Sequence, residues 1–174
     1  MKFALISPFP PLRGGISKET ETIYNYFNIN GHDIKVINFK RLYPQFLFPG
    51  KTQFSNIDLY HNDKNIIKTL DTINPFTWNK VSKYIIENKI DKILFRYWHP
   101  FFIPTFLYII KIIRKNNSNV KIFCICDNIY PHNYFPFSKT FIRFFLKNVD
   151  KYFVMSDNTF TQIKEFSPVK NIKN

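Results

Sequence analysis

The 174-residue chain carries 25 Lys and Arg against 12 Asp and Glu, a formal charge of +13, with 45% hydrophobic and 19% aromatic residues. That length fits one domain with its own core and excludes two full domains, and the apolar content excludes general disorder. The positive balance favours phosphates or an anionic membrane face as partners. The basic residues are scattered rather than blocked, and the aromatics fall mostly in apolar runs, so nucleic acid is not an expected partner.

Taken in order, Lys2 to Ser7 is a short apolar run, followed by Pro8-Phe-Pro-Pro-Leu-Arg13 and then Gly14-Gly15-Ile16-Ser17. It reads as strand, tight loop and helix. Adjacent glycines at a helix start let the backbone approach a ligand, and the free N–H groups of the first turn favour negative charge there. Helical periodicity runs from Ile16 to Asn30, with Asn30-Gly31 as its stop, and a second strand follows around Ile34-Ile37. Arg41 to Gln53, with two prolines and a glycine among aromatics, reads as an ordered excursion without regular structure, and no element is assigned from there to Leu70.

Asn74-Pro75 predicts a capped helix through Ile86. Lys92-Phe95 is the next strand, with Trp98-His99 at its carboxyl end and a helix from Phe101 to Lys115. Ile122-Ile125 is a continuous apolar strand, as expected of one covered on both faces. Asp127 to Tyr134 forms its loop, Ser138 is expected to cap a helix to Asn148, Tyr152-Val154 is a strand, and Ser156-Asp157 opens the last helix. Alternating strands and helices predict an α/β, Rossmann-like, doubly wound parallel sheet over residues 1–174 as a single domain, the first strand internal.

Cys124 and Cys126, two apart on a strand, share a face and read as buried reduced thiols of a cytoplasmic protein. No metal site is expected, because no further ligands stand at a recognisable spacing. No targeting or membrane-spanning segment is expected either: Pro8 and Pro10 interrupt the N-terminal run, and Pro104 and Lys111 the Phe101 to Ile113 segment. Ligands of such sheets lie outside the carboxyl ends of the strands. That selects the loops holding Gly14-Gly15, Trp98-His99 and Asp127 to His132, which together offer open amides, an aromatic platform, imidazoles and a carboxylate.

Ser7-Pro-Phe-Pro-Pro-Leu-Arg-Gly-Gly-Ile-Ser17, Gly31-His32-Asp33, Arg41-Leu-Tyr-Pro, Leu47-Phe-Pro-Gly-Lys51, Trp98-His-Pro-Phe-Phe102 and Cys126-Asp-Asn-Ile-Tyr-Pro-His132 occur in an order that resembles the N-terminal domain of a GT-B glycosyltransferase of family 4. The resemblance implies retaining transfer from a nucleotide-sugar donor to a glycan or lipid-linked acceptor, with no cofactor. By it, Gly14, Gly15 and Ile16 approach the donor phosphate, and Arg13, Trp98, His99 and Asn128 lie on the acceptor side. Asp127 and His132 are the catalytic candidates. The family usually has a histidine where this chain has Asp127, and His132 matches a downstream family histidine. A carboxylate at position 127 is expected either to weaken donor binding by opposing the donor phosphate, the favoured reading, or to accept hydrogen bonds from sugar hydroxyls instead.

The second GT-B domain, with its donor-binding Glu-x7-Glu segment, is expected to be absent, so the chain alone should turn over little. A separate donor-binding chain is then an implied partner, and a peripheral contact with the inner face of an anionic membrane a further one. The alternative reading is a non-catalytic module that binds a glycan or a protein partner through the same cleft.

Overall fold

The computed structural model describes residues 1–44, 52–130 and 137–166, and the backbone of Ile172–Lys173. Its strands are β1 (Lys2–Ile6), β2 (Asp33–Arg41), β3 (Ile66–Asp71), β4 (Lys92–Tyr97), β5 (Lys121–Cys126), β6 (Lys151–Val154) and β7 (Ile172–Lys173). The helices are α1 (Gly15–Ile29), α2 (Pro75–Glu87), α3 (Ile103–Asn116), α4 (Ser138–Lys147) and α5 (Asp157–Lys164). The strands form one sheet in the order β3-β2-β1-β4-β5-β6-β7, and every neighbouring pair is parallel. This is the expected Rossmann-like sheet, with β1 internal.

The chain leaves β1 toward β2 and later returns to β4 on the other side of β1. Right-handed crossovers therefore put α1 on one face and α2, α3 and α4 on the other. Side chains of β1 divide accordingly. Ala4 and Ile6 join the larger core with Ile109, Ile110 and Phe145, while Leu5 packs with Phe9, Tyr24, Ile34 and Val36 beneath α1. Cys124 and Cys126 are both free thiols buried in the larger core, and burial pushes the Cys124 thiol well above its usual range.

Three local expectations need correction. Strand β3, Ile66–Asp71, falls where no strand is expected from the sequence; it is an outer strand pairing β2 alone. Ser138 is the first residue of α4 rather than its cap, a position held by Phe137 in the left-handed region at φ 57° with no side-chain cap bond. The segment after β4 begins as a 3-10 turn, Pro100–Phe102, before α3 starts at Ile103. By contrast Asn74 caps α2 as expected, its side chain accepting from Phe76 N, and Ser156 accepts from Thr159 N at the start of α5. Past α1, the N–H groups of Gly31 and His32 bond back to the carbonyls of Asn28 and Phe27, with Gly31 at φ 73°.

The ring of Phe95 sits in the core between Phe106, 4.9 Å away, and Phe145, 6.3 Å away. Phe95→Ala is expected to cost roughly 3–5 kcal/mol in chemical denaturation, through lost burial and the cavity left behind. Phe76→Ala, at an 87% exposed ring, is expected to change stability by less than about 0.5 kcal/mol.

Candidate functional site

The strand order reverses between β1 and β4, so the loops after these strands and after β5 face one crevice. The loop after β1 is fastened before it reaches the glycines. Asn38, buried on β2, accepts from Phe9 N at 3.0 Å and donates to Phe9 O at 2.8 Å. Ser7 Oγ and Thr20 Oγ1 lie 2.6 Å apart and tie the strand end to α1. Beyond a cis Pro10-Pro11 bond, Leu12 pairs antiparallel with Phe54. Arg13 N donates to Gln53 O at 2.9 Å and Ser55 N to Pro11 O at 2.7 Å. Residues 52–55 thus brace the loop from outside.

Gly14 is the N-cap of α1 at φ 121°, a backbone conformation that a side chain would strain. Gly15 is different: a Cβ built there meets nothing within 4 Å, so the fold itself does not demand a glycine. Ile16 is half-buried in the same turn. Ser17, the third helical residue, is 1% exposed, and its Oγ has no hydrogen-bond partner among the described residues. The first turn has no acidic residue. A cleft of about 410 Å3 opens here, lined among others by Pro11, Arg13, Gly14, Ser17, Lys18 and Ile57.

At the end of β4, Trp98 is half-buried. Its ring centroid is 4.1 Å from that of Phe102, and its Nε1 donates to Tyr43 Oη at 2.9 Å. Tyr43 is in turn bracketed by Gln53, whose side chain accepts from Tyr43 N and donates to Tyr43 O. His99 accepts from Phe101 N through Nδ1 at 3.1 Å, which caps the 3-10 turn and requires that nitrogen to be unprotonated. Burial holds its pKa below the ordinary value.

After β5, Asp127 N donates to Tyr97 O at 2.9 Å, and Asn128 follows, half-buried. The Asp127 carboxylate is not unpaired. It accepts from Arg96 Nε at 2.7 Å and from Nη2 at 2.5 Å, and Nη2 also meets Glu19 of α1. Arg96 is 1% exposed. Burial alone would lower its pKa, but the hydrogen bonds and charge of Asp127, then those of Glu19, outweigh that and leave it raised.

The structure therefore places Arg13 and Gly14 on the wall of one cleft, with Gly15 and Ile16 next in the first turn of α1 but not lining it, and gathers Trp98, His99, Asp127 and Asn128 at the ends of β4 and β5. None of these last four lines the cleft at Gly14. The link between the two groups is Arg96, through Glu19 one helical turn beyond Gly15. Sequence reading passed over Arg96, Glu19, Asn38 and Ser17. The available signal was a cation in the apolar strand Ile93-Leu94-Phe95-Arg96-Tyr97, since a buried charge needs a nearby partner. His132, and Leu47 to Lys51 of the resemblance, lie outside the described residues.

No protein-family model matches the chain, and no curated protein does. Solved structures do. An α-glucosyltransferase in complex with UDP-glucose and DNA containing an abasic site superposes with a TM-score of 0.61 at 16% identity, over 100% of this chain and 42% of that one. The UDP-N-acetylglucosamine 2-epimerase from Rickettsia bellii gives a TM-score of 0.58 at 10% identity, over 98% of this chain and 43% of that one. The fold is that of a GT-B domain. An α-glucosyltransferase with UDP and a 13-mer DNA containing a HMU base gives 0.60 at 16% identity over 100% and 41% of the two chains. The chain thus spans about two fifths of the length of these neighbours.

Two outcomes follow from the geometry. Arg96→Gln strands Asp127, whose side chain is 17% exposed, and is expected to cost roughly 3–5 kcal/mol. Glu19→Gln, at a 53% exposed partner, is expected to cost less than about 1 kcal/mol; urea denaturation of both variants checks the ordering. For His99, the folded pKa lies below the unfolded one, so the unfolded chain binds the extra proton. The contribution of His99 is complete above about pH 6.5 and is lost as pH falls through the folded value. The pH dependence of Tm should flatten in that window in His99→Asn, which can still cap Phe101 N.

Proposed function

We propose that the chain is the acceptor-side domain of a glycosyltransferase of family 4 type, which transfers a sugar with retention from a nucleotide-sugar donor to a glycan or lipid-linked acceptor when a donor-binding domain closes the crevice. The observation that carries this reading is the first turn of α1. Gly14 and Gly15 leave the backbone amides without an overlying side chain, Ser17 carries a buried hydroxyl that has no partner among the described residues, and Arg13 and Lys18 border the cleft together with Glu21.

In transfer, the bond between the anomeric carbon and the donor phosphate oxygen breaks while the acceptor hydroxyl oxygen bonds to that carbon. The acceptor proton passes to a base of the completed site. Negative charge grows on the departing diphosphate, where helix N–H groups and nearby cations stabilise it most. The UDP and UDP-glucose of the α-glucosyltransferase structures support a uridine diphosphate sugar as donor class.

Asp127 fits this scheme as a paired group. A bare carboxylate 4 Å from a phosphate charge is opposed by roughly 4 kcal/mol at an effective dielectric near 20. Arg96 offsets most of that, leaving Asp127 to accept hydrogen bonds from sugar hydroxyls. The same ion pair favours the second reading, a non-catalytic glycan- or partner-binding module, because it occupies the position where the family carries its histidine.

Gly15→Ala separates ligand approach from folding. The added Cβ has open space around it and replaces a helical glycine, so stability should hold or rise by roughly 0.5–1 kcal/mol. UDP binding, measured calorimetrically, should weaken at the same time; equal affinity in the variant would remove the donor role of this turn. Transfer is assayed with labelled UDP-sugars, with and without a candidate donor-binding chain, and a DNA duplex is included among the acceptors because the α-glucosyltransferases were solved with DNA. Turnover is expected only in the completed complex, since positioning accounts for roughly 7–11 kcal/mol of barrier lowering. Robust transfer by the 174-residue chain alone would contradict the split assignment, and UDP binding without transfer in the completed complex would favour the binding module.

A further inference from the structure

The cleft beside Gly14 is built from the loop after β1, the first two turns of α1 and residues 55–59. No described residue of the loops after β4 and β5 lines it, so it opens on the flank of the crevice rather than within it. Gly15 and Ile16, whose amides serve the donor phosphate in the reading above, do not line it either. Its walls are fastened to one another before any ligand arrives. The bridge between Leu12 and Phe54 and the bond from Ser55 N to Pro11 O join the loop to the outer segment. Tyr60 Oη donates to Glu21 of α1 at 2.8 Å. A preformed concavity of this kind loses little free energy to ordering on binding, and its volume of about 410 Å3 falls in the range of small-molecule sites.

The lining combines two chemistries. Pro10, Pro11, Leu12, Ile57 and Leu59 supply aliphatic surface, and Ile57 and Leu59 stand 67% and 77% exposed beside the opening. No aromatic ring lines the cleft among the described residues, so a nucleobase finds no stacking partner there, whereas the C–H face of a saturated ring can lie on such a surface. The polar part consists of donors. Arg13 and Lys18 enter no ion pair among the described residues, and the buried Ser17 Oγ has no partner among them. Charge-assisted hydrogen bonds to an anion would satisfy all three. Glu21 shares the lining, which leaves a single positive charge in excess and matches one carboxylate better than a phosphate dianion. We propose that this cleft is a subsite for an acidic sugar residue, a hexuronate. Its ring lies on the aliphatic surface, its carboxylate accepts from Arg13, Lys18 and Ser17, and its hydroxyls donate to Glu21. The inference rests on the glycan-handling reading above and names the sugar class within it.

The test is an NMR titration of the full chain with methyl glucuronide and with methyl glucoside, which differ only in the carboxylate, and with UDP separately. At low salt the glucuronide is expected to bind about ten-fold more tightly than the glucoside, a preference that shrinks as salt rises. Arg13→Gln/Lys18→Gln should lower the preference by roughly ten-fold, and Ser17→Ala should lower it further. Both cations are exposed, so circular dichroism of the double variant should match the parent. If that variant misfolds, the two-ligand comparison in the parent and its salt dependence decide. Equal affinities, or no glucuronide binding, overturn the proposal, as does a preference that the double variant keeps. Glucose 6-phosphate bound more tightly than the glucuronide overturns the choice of a carboxylate. UDP binding without a glucuronide preference removes this subsite and leaves the glycosyltransferase reading standing. A glucuronide preference without UDP binding supports the subsite and removes the donor role of the turn.

Discussion

A single guanidinium joins the three segments that surround the crevice. Arg96 is placed by β4, the Asp127 it grips belongs to the loop after β5, and the Glu19 it reaches belongs to the first turns of α1. Such a buried cluster is a poor source of net stability, because desolvating the charges offsets much of their attraction. What it imposes is registration. The firm arm is the pair with Asp127, which fastens the loop after β5 to the end of β4, because separating the two would leave a charge buried alone. Glu19 is a half-exposed partner, so its tie orients the start of α1 toward the same guanidinium at a contribution of less than about 1 kcal/mol.

The loop on the other side of the crevice is held by neutral groups working in the same way. Asn38 hydrogen-bonds both the N–H and the carbonyl of Phe9, and Gln53 does the same for Tyr43. Backbone polar groups buried beside a site must be paired by something, and here amide side chains do it. The result is a bare helix start whose surroundings are already fixed. A ligand arriving there loses less free energy to ordering the protein than it would at a mobile loop.

The sheet was legible where strands are covered on both faces, because Leu5, Val36, Phe95 and Cys124 belong to nearly unbroken apolar runs. Strand β3 escaped because it is an outer strand: Lys68 and Thr69 interrupt it, and a polar stretch precedes it. The cap of α4 escaped because Phe137 holds that position with a left-handed backbone and no side-chain cap bond, so no capping residue type marks it in the sequence. At the site, Gly14 could be read from its neighbours, since a doubled glycine before a helix announces an unusual backbone. The partnership of Arg96 could not, because Asp127 lies 31 positions away and Glu19 77. Only the strand order brings them together.

The charge imbalance takes a more specific form in the fold than in the composition. Six of the twelve acidic residues, Glu19, Asp33, Asp58, Asp71, Asp127 and Asp150, sit in ion pairs among the described residues. Their charge is spent locally, and the excess of Lys and Arg therefore shapes the outer surface. Such a field gathers anions of every kind, but it is screened within about 8–10 Å at ordinary ionic strength. It raises encounter rates without choosing a ligand. Choice must come from short-range features, and at the start of α1 the described residues supply one: amides with no overlying side chain beside a buried hydroxyl that has no partner among them. Such a turn acts within hydrogen-bond reach, where geometry rather than net charge decides what fits.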